Sequence, residues 1–309
     1  MKNKETQKKT VYVIGGPTSV GKSIVAYYLA LRIGGEIINC DSVQLYKYMD
    51  IGSAKPTKEQ MEKVPHHLYS IVEPSFDMTV AKYRKLALAV IDDVLSRGKV
   101  PIVVGGTGLY LNSILYDMSF ASAPKNDERR RELEEMAEKN GTRYMFEYLT
   151  GVDPEAAARL HPNNLRKIIR AIEVWEAGDQ IKSLDCCPPN PKYDFKFFGL
   201  IMERDWLYNR INARVLKLFK EGLVQEVKSL MDMGYDENSH SMKGIGYKEV
   251  ISYLKGETDI KECIRQVMVN TRHYAKRQIT WLKRYDNINW IEIRKGDSVG
   301  DIIDILLEE

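Results

Sequence analysis

Four cysteines in 309 residues (Cys40, Cys186, Cys187 and Cys263) are too few and too scattered for a metal or disulfide framework. None forms a C-x-x-C pair, and a chain of this size without a bridge framework fits a reducing compartment. No apolar run approaches the ~18 residues that cross a bilayer. The opening MKNKETQKKT has no apolar stretch of the kind a secretory leader needs. A cytoplasmic protein away from membranes is therefore expected. Low-complexity tracts and internal repeats are also missing, which excludes solenoid architectures. The five histidines, including adjacent His66 and His67, show no metal-ligand spacing and read as structural. The net charge of +3 is too small to identify a polyanion partner. One local absence is more informative: residues 263–285, CIRQVMVNTRHYAKRQITWLKRY, carry six Lys or Arg and no acid.

What is present is an ordinary globular composition, 44% hydrophobic and 29% charged. Strand and helix signals alternate over the first hundred residues. VYVIG (11–15), EIINC (36–40) and VPIVV (100–104) read as buried strands, with helices over 22–33 and 79–98 between them. That alternation predicts an α/β fold, a parallel sheet with helices on both faces. From about 118 to 186 only charged helical segments appear, so an all-helical insertion is expected between core segments 10–117 and 187–309. FKFFGLIM (195–202) resumes the sheet, long helices follow through 204–233 and 246–283, and INWIEI (288–293) supplies a last strand.

Gly16-Pro17-Thr18-Ser19-Val20-Gly21-Lys22-Ser23 matches G-x-x-x-x-G-K-[ST] in full, after a strand and opening a helix. Its N–H groups and the helix dipole would face phosphate oxygens. Lys22 would add a charge, and the Ser23 hydroxyl could ligate Mg²⁺. The core is thus expected to be of the P-loop type. The motif does not say what carries the phosphates. Asp41 and the turn Gly105-Gly106-Thr107-Gly108 also follow strands, so all three should converge on one cleft at the carboxyl ends of the sheet. A nucleotide hydrolase should close a neighbouring strand with a Mg²⁺-binding aspartate, and PIVV ends in GGTG instead. Asp41 could accept a proton from a nucleophile or cap the next turn; local sequence does not separate the two.

In the acid-free segment Arg272, Lys276 and Lys283 share a helical stripe suited to a polyanion backbone. Tyr274, Gln278, Trp281 and Tyr285 lie roughly opposite and read as a core-facing stripe. In the insertion, Arg129-Arg130-Arg131 are interspersed with glutamates, while Arg166, Lys167 and Arg170 lie near one face.

Taken together, GPTSVGKS, CDSVQLYKYMDIGSAKP, PHHL, PIVVGGTGLYL, HPNNLRKIIRAIEV, RINARV, GIGYKE and TRHYAKRQITWLKR follow the order found in tRNA dimethylallyltransferases, also called tRNA isopentenyltransferases. The resemblance runs from about residue 10 to 290, and its DS-x-Q-x-Y-x-x-MDIG-x-AKP and AKRQ-x-TW patterns are far more specific than the phosphate loop. It implies transfer of a dimethylallyl group from its diphosphate to the exocyclic amine of the adenine just 3′ of a tRNA anticodon.

By the same resemblance Asp41 matches the catalytic base, Thr107 a threonine near the reacting amine, and Arg214 an arginine that helps hold the diphosphate with Lys22, Ser23 and Mg²⁺. Asp41, Ser42, Val43 and Gln44 match the segment that reads the flipped base. Arg166, Lys167 and Arg170 match contacts to the anticodon stem, and Arg130 matches a further one. Leu216 and Lys283 depart from common family residues. No Cys/His cluster follows Trp281, which points to the bacterial or organellar type. The implied partners are tRNA and dimethylallyl diphosphate, with no obligate protein partner. Two other readings share some of these features: a small-molecule or nucleoside kinase, and an RNA-binding module with a relic phosphate loop.

Overall fold

The structure, a computed structural model, describes residues 9–118, 126–179 and 187–308. Residues 119–125 and 180–186 of the expected insertion, Cys186 among them, lie outside the described residues. Six strands form one parallel sheet: β1 (Lys9–Gly15), β2 (Gly35–Cys40), β3 (His66–His67), β4 (Val100–Gly105), β5 (Tyr193–Met202) and β6 (Asn289–Ile293). Their spatial order is β3-β2-β4-β1-β5-β6. Strands β1, β2 and β4 read as near-continuous apolar runs because a parallel sheet covered on both faces leaves no solvent side; every residue of β2 is buried.

Helices α1 (Lys22–Ile33), α2 (Lys58–Lys63), α3 (Val80–Ser96) and α4 (Gly108–Leu115) belong to the first half of the core. The chain steps from β1 past β4 to β2, then back to β4. Right-handed crossovers for steps in opposite directions place α1 and α3 on opposite faces. On the α3 side, Tyr83 stacks on Tyr110 of α4 with ring centroids 3.8 Å apart. After β5 come α8 (Arg204–Lys220), α9 (Leu223–Asp232), α10 (Tyr247–Leu254), α11 (Ile260–Leu282) and, beyond β6, α12 (Val299–Glu308). Ile14, Val104, Phe198 and Leu200 of the sheet share a core with Val25 and Leu29 of α1, Ile211 and Val215 of α8, and Ile303 and Leu306 of α12.

Two expected long helices are each broken in two. The 204–233 stretch stops at Glu221 because Gly222 has φ 105° and serves as the N-cap of α9; only glycine takes that conformation without strain. Likewise 246–283 divides into α10 and α11 around Gly256, with φ 78°. The two-residue β3 and α12 go beyond the expected elements. His66 and His67 pair with Ile37 and Ile38, and His67 Nε2 lies 2.7 Å from the Glu36 carboxylate, so these histidines are structural, as expected.

The second compact unit, Tyr116–Pro189, contains α5 (Asp127–Val152), α6 (Pro154–Ala158) and α7 (Leu165–Glu176). Its described residues include no strand of the sheet. Helix α5 is kinked at Gly141 (φ 86°, ψ 161°). Leu133, Met145, Leu149, Ile168, Ile169 and Ile172 form its own core. Among the described residues, no helix is long and apolar enough to cross a membrane.

Candidate active site

Register brings the functional segments to one edge of the sheet. Gly15 of β1 is opposite Gly199, Ile14 is opposite Val104, and Cys40 of β2 is opposite Gly105 of β4. The phosphate loop, Asp41 and Gly106-Thr107 therefore all leave from the same carboxyl edge, where open α/β sheets bind ligands.

The loop is built for an anion. Helices α3, α8 and α11 are capped by the side chains of Thr79, Glu203 and Asp259. Helix α1 starts at Gly21 with no capping side chain and no acid in its first turn. Its first N–H groups and positive dipole end are thus left for an external anion. Ser19 sits at φ 66°, in the left-handed region that non-glycine residues seldom adopt. Its hydroxyl is buried without a hydrogen-bond partner.

The Lys22 ammonium donates to the Pro17 carbonyl at 2.8 Å. Burial pushes its pKa down to about 8, against the opposing pull of Asp41 and with the help of Arg214. Arg214 of α8 donates to Thr18 Oγ1 at 3.4 Å, and burial lowers its pKa too, with Asp41 pulling it back up. Two cations crowded beside one carboxylate make a place where a diphosphate would relieve the imbalance. Ser23 is exposed in the first turn of α1.

A cavity of about 370 Å³ opens beside this loop. Thr18, Asp41, Ser42, Val43 and Arg214 supply polar and loop walls, while Ile211, Val215, Leu218, Ile245 and Val267 supply an apolar one. Asp41 Oδ1 accepts from the Val43 N–H at 2.8 Å, so the acid caps the next turn and also lines the cavity. The capping role is thus present, and the carboxylate is at the same time open to the cavity. Thr107 is outside the cavity wall, but its hydroxyl accepts from the Ser42 N–H at 3.1 Å and is hydrogen-bonded to Tyr274, and Ser42 and Tyr274 do line the cavity. Gln44 lies beside the wall, its amide donating to the Ser53 and Ala54 carbonyls at 3.0 and 3.3 Å.

Helix α11 contributes more than a basic stripe. Lys276 and Lys283 are exposed. Arg272, by contrast, donates to Asn212 Oδ1 at 2.7 and 3.1 Å and stacks over the Tyr208 ring. On the stripe expected to face the core, Tyr274 lines the cavity together with Arg277, and Gln278 is buried between two loops. Its Oε1 accepts from Thr18 N–H at 2.8 Å, and its Nε2 donates to Gly106 O at 3.0 Å. Arg210 of α8 reaches the loop as well, donating to Ser19 O at 3.0 Å. Neither Gln278 nor Arg210 could be assigned from sequence, because each partner lies far away along the chain.

In the helical unit, Arg166 and Lys167 are exposed. Arg130 makes a bidentate pair with buried Glu173 at 2.9 and 2.7 Å. Arg170 reaches the same carboxylate at 3.3 Å. Among the described residues there is no group of three or more His, Cys, Asp or Glu able to hold a metal ion.

These features define a P-loop α/β protein with an anion cradle that shares a cavity with an acid and an apolar wall. Residues 44–285 match the sequence model of the IPP transferase family. The tRNA dimethylallyltransferase of Alkaliphilus oremlandii is 45% identical over 98% of this chain and 97% of its own length. That of Caldanaerobacter subterraneus is 48% identical over 91% and 90%. Among solved structures, the full-length tRNA isopentenylpyrophosphate transferase of Bacillus halodurans superposes with a TM-score of 0.72 at 39% identity, covering 98% of this chain and 96% of that one. A eukaryotic dimethylallyltransferase acting on tRNA gives a TM-score of 0.78 at 28% identity, with 92% of this chain matched to 74% of the other. The chain belongs to the IPP transferase family.

Proposed function

We propose that the chain transfers a dimethylallyl group from dimethylallyl diphosphate to the exocyclic amine of the adenine 3′-adjacent to the anticodon in tRNA. The observation that carries this reading is the shared cavity: Asp41, the Thr18–Arg214 end of the anion cradle and an apolar wall large enough for a short prenyl chain line one space. A kinase needs no such apolar wall, and β4 ends at Gly105, followed by Gly106-Thr107, rather than in an acid.

In this mechanism the amine nitrogen attacks the carbon bearing the diphosphate. A C–N bond forms, the C–O bond breaks, and the diphosphate leaves with the electron pair. The amine lone pair is delocalised into the ring, so removing its proton as the bond forms strengthens the nucleophile, and Asp41 is the base that takes it. Charge grows on the leaving oxygens, where the N–H groups at the start of α1, Lys22 and Arg214 would stabilise it. The phosphate-binding set is Gly16 through Ser23. Mg²⁺ would be held by the Ser23 hydroxyl together with the substrate's phosphates, as this ion commonly is by one or two protein groups. When bound, it would neutralise part of the leaving group's charge.

On the RNA side, we assign contact with the target base to Ser42 and Val43, which line the cavity, and to Gln44 and Thr107 beside it. We assign phosphate contacts on the helical unit to Arg166 and Lys167 first, because Arg130 and Arg170 are engaged with Glu173. Lys276 is exposed on α11 for the same purpose, whereas Arg272 serves by fixing Asn212 and the Tyr208 ring. A tRNA substrate fits a cytoplasmic site of action. The test is incubation with dimethylallyl diphosphate and unmodified tRNA in the absence of ATP, followed by mass spectrometry of anticodon-loop nucleosides. A prenylated adenosine is expected; phosphate incorporation that strictly requires ATP would establish the kinase instead.

A further inference from the structure

Two stretches singled out in the sequence, MDIGSAKP (49–56) and GIGYKE (244–249), reach the cavity wall but have no chemical step assigned above. One acid outside both joins them. Glu226, in the first turn of α9, turns its carboxylate onto the loop after Met49. Oε2 accepts from the Asp50 and Ile51 N–H groups at 2.8 and 2.6 Å, and Oε1 from the Gly52 N–H at 2.9 Å. Three successive amides facing one anion form a nest of the kind that binds negative charge. The Tyr247 hydroxyl donates to the same Oε1 at 2.9 Å. Its fully buried ring lies so close to Gly52 that a β-carbon there would come within 2.6 Å of it.

The next two residues of this loop meet the base-reading segment. The Ser53 and Ala54 carbonyls accept from Gln44 Nε2, and Gly52 and Ser53 line the cavity beside Asp41, Ser42 and Val43. Two carbonyls on Nε2 fix the orientation of the Gln44 amide, because a flipped amide would set oxygen against oxygen. The other polar atom of that amide, Oε1, is an acceptor. It matches an amine donor of the adenine kind and repels a keto oxygen.

We propose that Glu226 is a positioning residue for base recognition: through the amides of residues 50–52 it holds the Ser53 and Ala54 carbonyls that orient the Gln44 amide toward an amino-bearing base. The proposal rests on the base-reading role given to Gln44 above. It accounts for MDIG and GIGYKE together, as the two sides of one clamp closed by Glu226.

The experiment compares binding of two anticodon stem-loops, one with adenosine and one with inosine at the target position, to wild type, Glu226→Gln, Tyr247→Phe and Gln44→Ala. It also measures KM for dimethylallyl diphosphate in each. Glu226→Gln keeps the volume but loses one acceptor oxygen. It is expected to reduce the adenosine preference by about fivefold or more while KM for the diphosphate stays within about twofold. Tyr247→Phe should move the preference in the same direction by less, and it decides the matter if the Glu226 variant fails to fold. An unchanged preference in both variants, or KM values for the two substrates rising together, overturns the proposal. Loss of preference in Gln44→Ala alone would overturn it while leaving the base-reading role standing. No adenosine preference in the wild type would remove that role as well.

Discussion

The side chain of Gln278 accepts from the N–H of Thr18, joining the C-terminal part of α11 to the phosphate loop across 260 residues of chain. The same amide holds Gly106 O, so the loop and the turn after β4 are tied to one buried group. Gln278→Leu would leave both backbone groups unpaired, at roughly 1–3 kcal/mol each. Urea unfolding is expected to show a loss of about 2–5 kcal/mol, and KM for dimethylallyl diphosphate should rise. A variant as stable as wild type would mean that water replaces the amide without penalty.

For Lys22, the depressed pKa of about 8 sets the pH dependence of substrate binding. Below that value the ammonium is present and affinity for the diphosphate is full. Above it the cation is lost, and the dissociation constant should climb, approaching about tenfold per pH unit. Calorimetric titration from pH 7 to 9.5 reads this directly. In Lys22→Met the binding should be weak and the inflection gone; an inflection that survives belongs to another group.

Asp41→Asn keeps an acceptor for the Val43 N–H while removing the base. Single-turnover prenyl transfer is expected to fall by roughly 10²–10⁴-fold, with stem-loop affinity changed by no more than about threefold. Transfer at the wild-type rate would relegate Asp41 to capping the turn.

Glu36 provides a separate reading of stability. It is 4% exposed, and hydrogen bonds from Arg97 and His67, working against burial, hold its carboxyl down at about 2 against an ordinary 4.5. Its stabilisation, about 3 kcal/mol by linkage, is complete above the unfolded pKa and disappears as pH falls through that interval. Unfolding free energies measured from about pH 5 to 2.5 should fall less steeply in Glu36→Gln than in wild type. Parallel slopes would locate the acid sensitivity elsewhere.

How much of this could be read in advance depended on distance along the chain. Strands β1, β2 and β4 were legible because complete burial writes itself as an apolar run, and the phosphate loop and Asp41 because each is local to a strand end. Strand β3 exists only through its pairing with Ile37 and Ile38, which two histidines cannot announce. The breaks at Gly222 and Gly256 fall within otherwise helical patterns, where a single glycine is an ambiguous signal. Arg210 and Gln278 lie within the RINARV and AKRQ-x-TW segments and Glu226 in neither, but none of the three shows its partner locally. Their roles come from partners 191, 174 and 260 residues away in sequence, which only the closed fold brings near.

The strand order also has a consequence for biosynthesis. The central strand β1 is flanked by β4 on one side and β5 on the other, and β5 begins only at Tyr193. At the usual pace of translation, about 5–20 residues per second, the ribosome needs roughly 10–35 s to travel from Gly15 to Tyr193. During that interval one edge of β1 has no neighbour, and the nascent chain is a natural client for chaperones that shield unpaired edges. Gln278 emerges later still, so the phosphate loop cannot take its final form until nearly the whole chain has been made.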